Sequence, residues 1–204
     1  MNMNINMGGF LVLVVLPIVV LASLLEAFVL ARRQGYDWKA LGVSLTSLVA
    51  RHVIAVVIPF SLATPVFGWA WDSRLGTVTL DSWQAIAVLF LGQEFCYYWY
   101  HRASHRVRWF WATHSVHHTP NELTLAAAYR ISMVSKLTGS VVFFVPLVWF
   151  GFHPQLVMTT LTLNLAYQFW IHATWIPKLG WLEYVLNTPS SHRVHNASNP
   201  AYLD

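Results

Sequence analysis

The chain has 204 residues, of which 56% are hydrophobic and 10% are charged, and its formal net charge at pH 7 is +4. Soluble domains carry about 25% charged residues, so this composition argues against a soluble domain and predicts a membrane protein. The basic residues are not grouped into runs, so no nucleic-acid partner is expected. The single cysteine, Cys96, excludes an intrachain disulfide, and we expect it to pack within an apolar segment.

The first membrane span is predicted over residues 9–31. This apolar run matches the roughly 20 residues that are needed to cross the bilayer core. No Lys or Arg precedes it, whereas Arg32 and Arg33 follow it directly, so the pattern predicts an uncleaved anchor with its amino end outside. Glu26 lies near the inner end of this run, where we expect its side chain to face other helices.

An interfacial helix and two further spans are predicted before the first histidine cluster. Residues 36–50 have an amphipathic pattern, which predicts a helix that lies on the inner membrane surface. The second span is predicted over residues 53–70, with Pro59 and Pro65 bending or ending it. The third span is predicted over residues 83–100 and leads directly into the first histidine cluster.

The C-terminal half is predicted to leave the membrane and then return to it. Residues 113–136 are polar enough to lie outside lipid. Residues 137–150 and 156–170 are apolar and predict a hairpin that turns at residues 151–154, where a glycine and a proline occur. The fold class predicted is therefore an all-α polytopic membrane protein with about four or five transmembrane helices.

The chain is predicted to form one membrane domain over residues 1–204. Residues 1–82 supply the N-terminal spans and the interfacial helix, and residues 83–204 carry the histidine clusters. In this topology eleven of the twelve Lys and Arg residues lie on one side of the membrane, and only Arg74 lies on the other. The positive-inside rule assigns the basic side to the cytoplasm, which predicts that the histidine clusters face the cytoplasm.

Eight of the ten histidines fall into clusters whose spacing is typical of metal ligands. Side chains three or four residues apart share one face of a helix. A purely structural role would leave many imidazoles close together without partners. The eight candidate ligands are His101, His105, His114, His117, His118, His172, His192 and His195. We expect the remaining two, His52 and His153, to be structural.

Eight imidazoles are too many for one ion, because a structural Zn²⁺ takes four protein ligands and a catalytic one takes about three. Two ions are therefore expected. Imidazole suits zinc, copper, iron and nickel, so the ligand type alone leaves the metal open. Activation of dioxygen at a lipid surface would favour a redox metal.

Glu94 is a candidate partner of a ligand imidazole. It precedes His101 by seven residues, which places it on the same helical stripe about 10 Å along the axis. Its carboxylate could hydrogen-bond a ligand imidazole and fix the tautomer of that ring. A protonated acid that bonds a tyrosine or Gln93 is the alternative, and the spacing leaves both interpretations open.

The histidine clusters follow one another in four segments. These are residues 98–105 (YWYHRASH), 111–118 (WATHSVHH), 168–172 (QFWIH) and 187–204, which begins NTPSSHRVHN. The segments resemble the histidine boxes of the fatty acid hydroxylase and sterol desaturase superfamily of integral-membrane di-iron enzymes. The resemblance covers the chain from about residue 83 to its end, and the order of the spans is similar to that of bacterial members.

The resemblance implies two iron ions held by the eight histidines, with zinc as a substitute in a purified sample. It implies that dioxygen is used to hydroxylate or desaturate a C–H bond of a lipid such as a fatty acyl chain or a sterol. Because no haem-binding or flavin-binding module is found, electrons are expected from a separate ferredoxin, cytochrome or reductase. A bacterial inner membrane is the expected location.

Two other functions fit the same residues. One is an ether-lipid (alkylglycerol-type) monooxygenase, which hydroxylates the carbon next to the ether oxygen with a reduced pterin. It needs the same histidines, so the sequence does not separate it from a hydroxylase or desaturase. The other is a non-catalytic metal-binding membrane protein.

Asn196 is a departure from the pattern of the superfamily, which has a third histidine at this position. An amide oxygen can bind a metal directly or through water, so the substitution is compatible with a ligand as well as with the loss of one. The chain also stops at Asp204, where relatives typically continue with an Asn-Tyr-Gly stretch, which is compatible with a truncated chain.

Overall fold

The computed structural model describes residues 11–33 and 35–199, and within these ranges the regular structure is helical. The longer helices are α1 (Leu16–Arg33), α2 (Trp38–Val57), α3 (Ala63–Asp72), α4 (Trp83–Arg106), α5 (Arg108–His114), α6 (Val145–Phe150), α7 (Pro154–Trp170) and α8 (Pro189–His195). A π-helix, Leu11–Val15, precedes α1, and short 3-10 helices cover Leu125–Tyr129, Ser135–Leu137, Ser140–Phe144 and Gly180–Tyr184. The all-α prediction is confirmed.

Two of the described helices are long and apolar enough to cross a membrane. They are Leu13–Arg33 and Trp38–Val57. The first matches the predicted span over residues 9–31, of which residues 9 and 10 lie outside the described residues. Gln34 and residues 200–204, which include the chain end at Asp204, also lie outside them. The total of four or five spans stays a prediction, as does the division of one domain at residue 82.

The predicted boundary between an interfacial helix and the second span was wrong. The structure has one continuous helix, α2, where the sequence predicted a break near residue 50. The backbone N–H groups of Lys39 and Ala40 donate to the Asp37 carboxylate at 2.9 and 3.0 Å, which caps the start of α2. Pro59 lies just beyond the end of α2, where its missing N–H cannot continue the helix. Pro65 lies in the first turn of α3, where proline is tolerated.

Helix α4 is longer than the third predicted span and contains the whole first histidine cluster. It runs from Trp83 to Arg106, and the hydroxyl of Ser82 caps its start by accepting a hydrogen bond from the backbone N–H of Ala85. Val107 is extended, so the chain changes direction there and α5 packs back against α4. The sequence placed the end of the span before His101, whereas the helix continues through His105.

The apolar hairpin forms with its turn at the predicted residues. The first arm is not a single helix, because Gly139 has a φ of 77° and starts a 3-10 helix that precedes α6. Gly151 ends α6 with a φ of 116°. A Cβ atom at Gly151 would lie 2.4 Å from the carbonyl oxygen of Gly76, so only glycine fits this turn.

The chain divides into two compact units. The first unit contains residues 1–46, 118–130 and 166–204, and the second contains residues 47–117 and 131–165. In the first unit, α1 packs against the 3-10 helix Leu125–Tyr129. Tyr129 is buried there, and its hydroxyl donates to the carbonyl of Val19 at 2.6 Å. Burial raises the pKa of Tyr129 to about 12, so its hydroxyl stays protonated as a donor.

The second unit has an apolar core built from α3, α4, α6 and the first part of α7. Helices α3 and α6 pack against each other, and Cys96 of α4 is a buried member of this core, as expected. The remaining buried members are Phe67, Ala70, Leu89, Phe144, Leu147, Val148, Phe152 and Val157. This packing fixes the position of α4, which carries His101 and His105.

Candidate metal centre

The second unit holds a group of four histidines, His101, His105, His114 and His117. The donor nitrogens of the first three lie within 4.8 Å of one another. The Nε2 atoms of His105 and His114 are 3.2 Å apart, and the rings of His114 and His117 have centroids 5.7 Å apart. Spacing within α4 brings the first two together, whereas the reversal at Val107 brings His114 back to them.

Aromatic side chains surround this group within the second unit. Tyr97, one turn before His101 on α4, stacks on the ring of His101 with a centroid distance of 5.9 Å. Trp111 contacts His105 at 5.5 Å. The indole N–H of Trp109 donates to the carbonyl of Thr138 at 2.8 Å, which ties α5 to the segment before the hairpin. These contacts limit the rotation of the rings and keep their nitrogens together.

The first unit holds the other four histidines, His118, His172, His192 and His195. The Nε2 atoms of His172 and His192 are 3.2 Å apart, which repeats the distance between His105 and His114. His118 and His195 have ring centroids 5.0 Å apart, and His192 and His195 have centroids 5.8 Å apart. Within each unit, nitrogen pairs and ring contacts therefore link four of the eight predicted ligands, and the second histidine box supplies members to both units.

The surroundings of His172 keep its imidazole ring uncharged. Its side chain is 2% exposed, and its Nδ1 lies 2.8 Å from the carbonyl oxygen of Gln168. Because a carbonyl only accepts, Nδ1 carries the hydrogen and Nε2 keeps its lone pair for the cluster. Burial lowers the pKa of His172 to about 4, so the ring is uncharged at neutral pH.

Helix α8 presents His192 and His195 from a capped start. The Thr188 hydroxyl accepts from the backbone N–H of Ser191 and donates to the Glu183 carboxylate at 2.7 Å. The backbone N–H of Leu179 also donates to Glu183, at 2.8 Å. These two bonds lower the pKa of the Glu183 carboxyl below its ordinary value, and the bond from the backbone N–H of Leu179 has the larger effect. The charged carboxylate therefore fixes the turn from which α8 begins.

Two arginines that the sequence did not assign hold the histidine segments of the first unit. The guanidinium of Arg193, between two candidate ligands, donates to the carbonyls of Thr174 and Ile176, so α8 is tied to the segment after His172. Arg130 is buried and donates to the hydroxyl of Thr119, which follows His118 directly. A further bond joins its Nε to Ser44 in α2. Arg193 lies within the last histidine box, whereas Arg130 follows His118 by twelve residues, so only Arg193 could be singled out by its position.

Glu26 is buried, as its place in α1 predicted. Its side chain is 7% exposed, and its two carboxylate oxygens accept from different segments. The backbone N–H of Leu125 donates to Oε2 at 2.6 Å, and the indole N–H of Trp175 donates to Oε1 at 2.9 Å. Glu26 thus connects the segment that follows His118 with the segment that follows His172, a role that its position in the sequence did not reveal.

The geometry of the paired nitrogens fits metal coordination. With metal–nitrogen bonds of about 2.0–2.1 Å, two ligand nitrogens lie about 3.3 Å apart at the tetrahedral angle and about 2.9 Å apart at a right angle. The two observed Nε2 pairs, at 3.2 Å, fall between these limits. Without an ion, each pair can share one proton as an N–H···N bond. An all-imidazole donor set accepts iron and also zinc.

The profile of the fatty acid hydroxylase family matches residues 86–203, which contain all eight histidines. The chain belongs to the fatty acid hydroxylase family. The resemblance of the four histidine segments is thereby confirmed, because the match includes every one of them. Iron is the metal associated with this family, and imidazole is a ligand that suits iron.

Curated relatives of this chain are named alkylglycerol monooxygenase. The protein from Homo sapiens is 37% identical over 92% of this chain and 42% of its own length. Those from Xenopus tropicalis and Danio rerio are 41% and 42% identical, over 67% and 71% of this chain and 30% and 32% of their own lengths. The chain thus spans less than half of the length of these relatives. No solved structure matches it.

Asn196 and Glu94 have different surroundings in the structure. The Asn196 amide nitrogen lies 3.0 Å from Nε2 of His192, so its side chain belongs to the histidine group of the first unit. A half-turn about the terminal bond would direct the amide oxygen to the same place. Glu94 accepts a hydrogen bond from the amide of Asn164 at 2.6 Å. Its predicted contact with a ligand imidazole stays a prediction.

The two histidines that were expected to be structural have contacts of that kind. Nδ1 of His52 lies 2.8 Å from the carbonyl oxygen of Leu48, one turn earlier in α2. His153 accepts a hydrogen bond from the backbone N–H of Gln155 at the start of α7, and its ring contacts Trp71. Both side chains therefore have local roles, and they serve as natural controls for the other eight.

Proposed function

We propose that the chain carries the metal-binding part of a membrane di-iron oxygenase that hydroxylates a lipid next to an ether oxygen. The observation that carries the proposal is the repeated 3.2 Å separation of paired Nε2 atoms, once in each unit, in a chain matched by the fatty acid hydroxylase profile. The eight histidines together supply ligands for two iron ions, which when bound activate dioxygen.

The substrate class is inferred from the relatives, whose name specifies an alkylglycerol. Hydroxylation consumes one dioxygen, two electrons and two protons, places one oxygen atom on the carbon beside the ether oxygen and releases the other as water. The resulting hemiacetal loses its alcohol and leaves a fatty aldehyde. The wider superfamily also acts on fatty acyl chains and sterols, and its other reaction is desaturation.

The residues of the chain contribute ligand geometry and a dry surrounding. The Gln168 carbonyl fixes the tautomer of His172, and burial keeps that ring neutral, so no proton has to leave before a metal binds. Tyr97 and Trp111 restrict the rings of His101 and His105. Side chains that are held in place in this way bind a metal without first losing conformational freedom.

The setting of the enzyme is part of the proposal. The two apolar helices support a membrane location, and the distribution of Lys and Arg supports a cytoplasmic site in a multi-pass protein, such as one of a bacterial inner membrane. A reduced pterin supplies the electrons for the ether-lipid reaction, whereas a hydroxylase or desaturase of the wider superfamily would take them from a separate ferredoxin, cytochrome or reductase. Zinc that copurifies would occupy the same imidazoles without supporting the redox step.

The test is an assay of the chain in membrane vesicles with isotopically labelled dioxygen and a reductant. Three lipids are compared: an alkylglycerol, the acylglycerol of the same chain length, and a sterol. We expect labelled fatty aldehyde from the alkylglycerol alone, and none from the His105→Ala variant. If only the acyl lipid or the sterol is oxidised, the proposed oxygenase activity stands and the proposed alkylglycerol substrate is wrong. Bound metal without any product would favour the non-catalytic alternative.

A further inference from the structure

A short segment between two candidate ligands of the first unit exposes large apolar side chains. It covers residues 175–186 and lies between His172 and His192 in the chain. Its exposed apolar and aromatic members are Trp175, Trp181, Tyr184, Val185 and Leu186. Tyr184 is 93% exposed and Trp181 is 71% exposed. A contiguous apolar surface of this kind typically marks a contact with a partner or with a membrane.

The 3-10 helix Gly180–Tyr184 has an outer and an inner side. Trp181 and Tyr184 are three residues apart, which in a 3-10 helix places one side chain above the other. Glu183 is turned inward, because its carboxylate accepts hydrogen bonds from the backbone N–H of Leu179 and from the hydroxyl of Thr188 at the start of α8. The bonds of Glu183 therefore hold the segment to α8 and leave the aromatic side facing outward.

The contact of Trp175 with α1 fixes the level of the segment. The indole N–H of Trp175 donates to the Glu26 carboxylate at 2.9 Å, while 61% of the Trp175 side chain is exposed. Glu26 lies within Leu13–Arg33, one of the two helices that are long and apolar enough to cross a membrane. It precedes Arg32 by six residues, which is about 9 Å along the helix axis. Trp175 is therefore held beside the last turns of a membrane-length helix.

The surface of α1 at this level is apolar and exposed. Leu25 and Phe28, each within one turn of Glu26, are about half exposed. The medium that covers these side chains in a membrane-length helix is lipid. An indole that is held next to the same turns by a hydrogen bond to Glu26 meets the same lipid, because both belong to the first unit.

The composition of the segment is typical of the level of the lipid headgroups rather than the centre of the bilayer. Tryptophan and tyrosine are enriched at this level, where the apolar body of the ring meets lipid and its polar tip meets water. Lys178 is exposed between Trp175 and Trp181, and a lysine at this level is attracted to anionic headgroups. Arg32 and Arg33 end α1 with two further basic side chains.

We propose that residues 175–186 insert into the headgroup region of the bilayer and anchor the segments of His172 and His192 to the membrane surface. The partner is the lipid bilayer itself, which is contacted through the aromatic side of the 3-10 helix. The anchor connects the two candidate ligands whose Nε2 atoms are 3.2 Å apart, so their depth depends on lipid as well as on protein contacts. The inference rests on the membrane location in the proposed function and is independent of the oxygenase activity.

Depth-dependent fluorescence quenching tests the anchor. Tyr184→Cys is labelled with an environment-sensitive fluorophore in vesicles whose lipids carry a nitroxide at the headgroup, the upper acyl chain or the chain end. Cys96 is buried, so the unaltered chain gives the background labelling. We expect the strongest quenching from nitroxides at the headgroup or upper chain and little quenching by iodide in the water.

Glu122→Cys is the matched control, because Glu122 is exposed in the same unit and lies in a segment predicted to be outside lipid. Its label should be quenched by iodide rather than by the lipids. If the Tyr184→Cys label behaves in the same way, the anchor is wrong. A label at this position that neither quencher reaches would show that protein, such as a second copy of the chain, covers the segment, and would also overturn the anchor.

Substitutions at Trp181 test whether the apolar side chains hold the segment in the bilayer. In the labelled Tyr184→Cys chain, Trp181→Glu should move the label from lipid to water, because a carboxylate is disfavoured at this depth. Trp181→Phe should leave its depth unchanged. Val185→Ser is a milder change, and it decides the question if thermal unfolding shows that Trp181→Glu does not fold. An unchanged depth in the folded variants would contradict the proposal.

The same preparation separates the anchor from the oxygenase activity, because the depth is measured without substrate or reductant. An inactive chain whose label is quenched by the lipids would support the anchor and contradict the proposed function. A chain that oxidises alkylglycerol while its label stays in water would support the function and contradict the anchor.

Discussion

The indole of Trp175 donates a hydrogen bond to the buried carboxylate of Glu26 across 149 positions of sequence. The same carboxylate accepts the backbone N–H of Leu125. Leu125 follows His118 by seven residues, and Trp175 follows His172 by three. An acidic residue in an apolar helix therefore joins the two segments that position half of the candidate ligands of the first unit.

Glu26→Ala is expected to lower both stability and metal content. It leaves two donors, the backbone N–H of Leu125 and the indole of Trp175, without their acceptor, and each loss costs about 1–3 kcal/mol. Thermal unfolding in detergent and iron analysis measure the two effects. Leu25→Ala, on an exposed part of α1, is the control. If Glu26→Ala bound iron and unfolded like the control, Glu26 would not position the ligands.

His105→Ala and His192→Ala are each expected to remove about one metal ion per chain, because each deletes one nitrogen of a pair at 3.2 Å. Metal analysis of the purified proteins measures the loss. His52→Ala is the matched control, since Nδ1 of His52 lies beside a carbonyl of its own helix. Full metal content in both cluster variants would show that the two pairs are only hydrogen-bonded imidazoles.

Asn196→Ala is expected to weaken metal binding about 10-fold or more, which is the effect of removing a group that supports a metal site. The reason is the contact of the Asn196 amide with Nε2 of His192. Competition with a chelator measures the affinity. Asn196→His, which restores the residue that the superfamily has here, should bind at least as tightly as the natural chain. Equal affinities for all three proteins would remove Asn196 from the site.

Acid is expected to loosen the start of α8. The folded-state pKa of the Glu183 carboxyl is depressed below its ordinary value of 4.5. Its contribution to stability is therefore complete above this value and is lost as the pH falls through the folded-state pKa. Hydrogen exchange of the α8 amides, followed from neutral pH downwards, measures the change. In Glu183→Gln the group no longer titrates, so this acid-dependent change should disappear, whereas Glu122→Gln should retain it.

The local structure of the site was predictable because it depends on short-range periodicity. His101 and His105 share a face of α4 for the reason that any residues four apart do. The turn of the hairpin was also predictable, since Gly151 and Pro154 occur together. The start of α2 lies within two residues of the predicted one, whereas its continuation through residue 50 was not predicted, because an amphipathic pattern does not specify where a helix ends.

The partners of charged side chains could not be read from the sequence. The place of Arg193 beside a candidate ligand indicates no partner, and in the structure its guanidinium donates to two backbone carbonyls of its own unit. The guanidinium of Arg130 similarly donates hydrogen bonds to the hydroxyls of Thr119 and Ser44. Such partners lie far away in sequence, and burial makes them necessary, because an unpaired charge inside the protein is costly.

The sequence by itself determined the fold class, the eight histidines and the family, because composition, helical spacing and the order of the histidine boxes are properties of the chain alone. Only the tertiary structure decided which imidazole nitrogens lie 3.2 Å apart and which groups bind Glu26. These features join residues that are distant in sequence, and their separation is fixed by how helices pack rather than by spacing along any one helix.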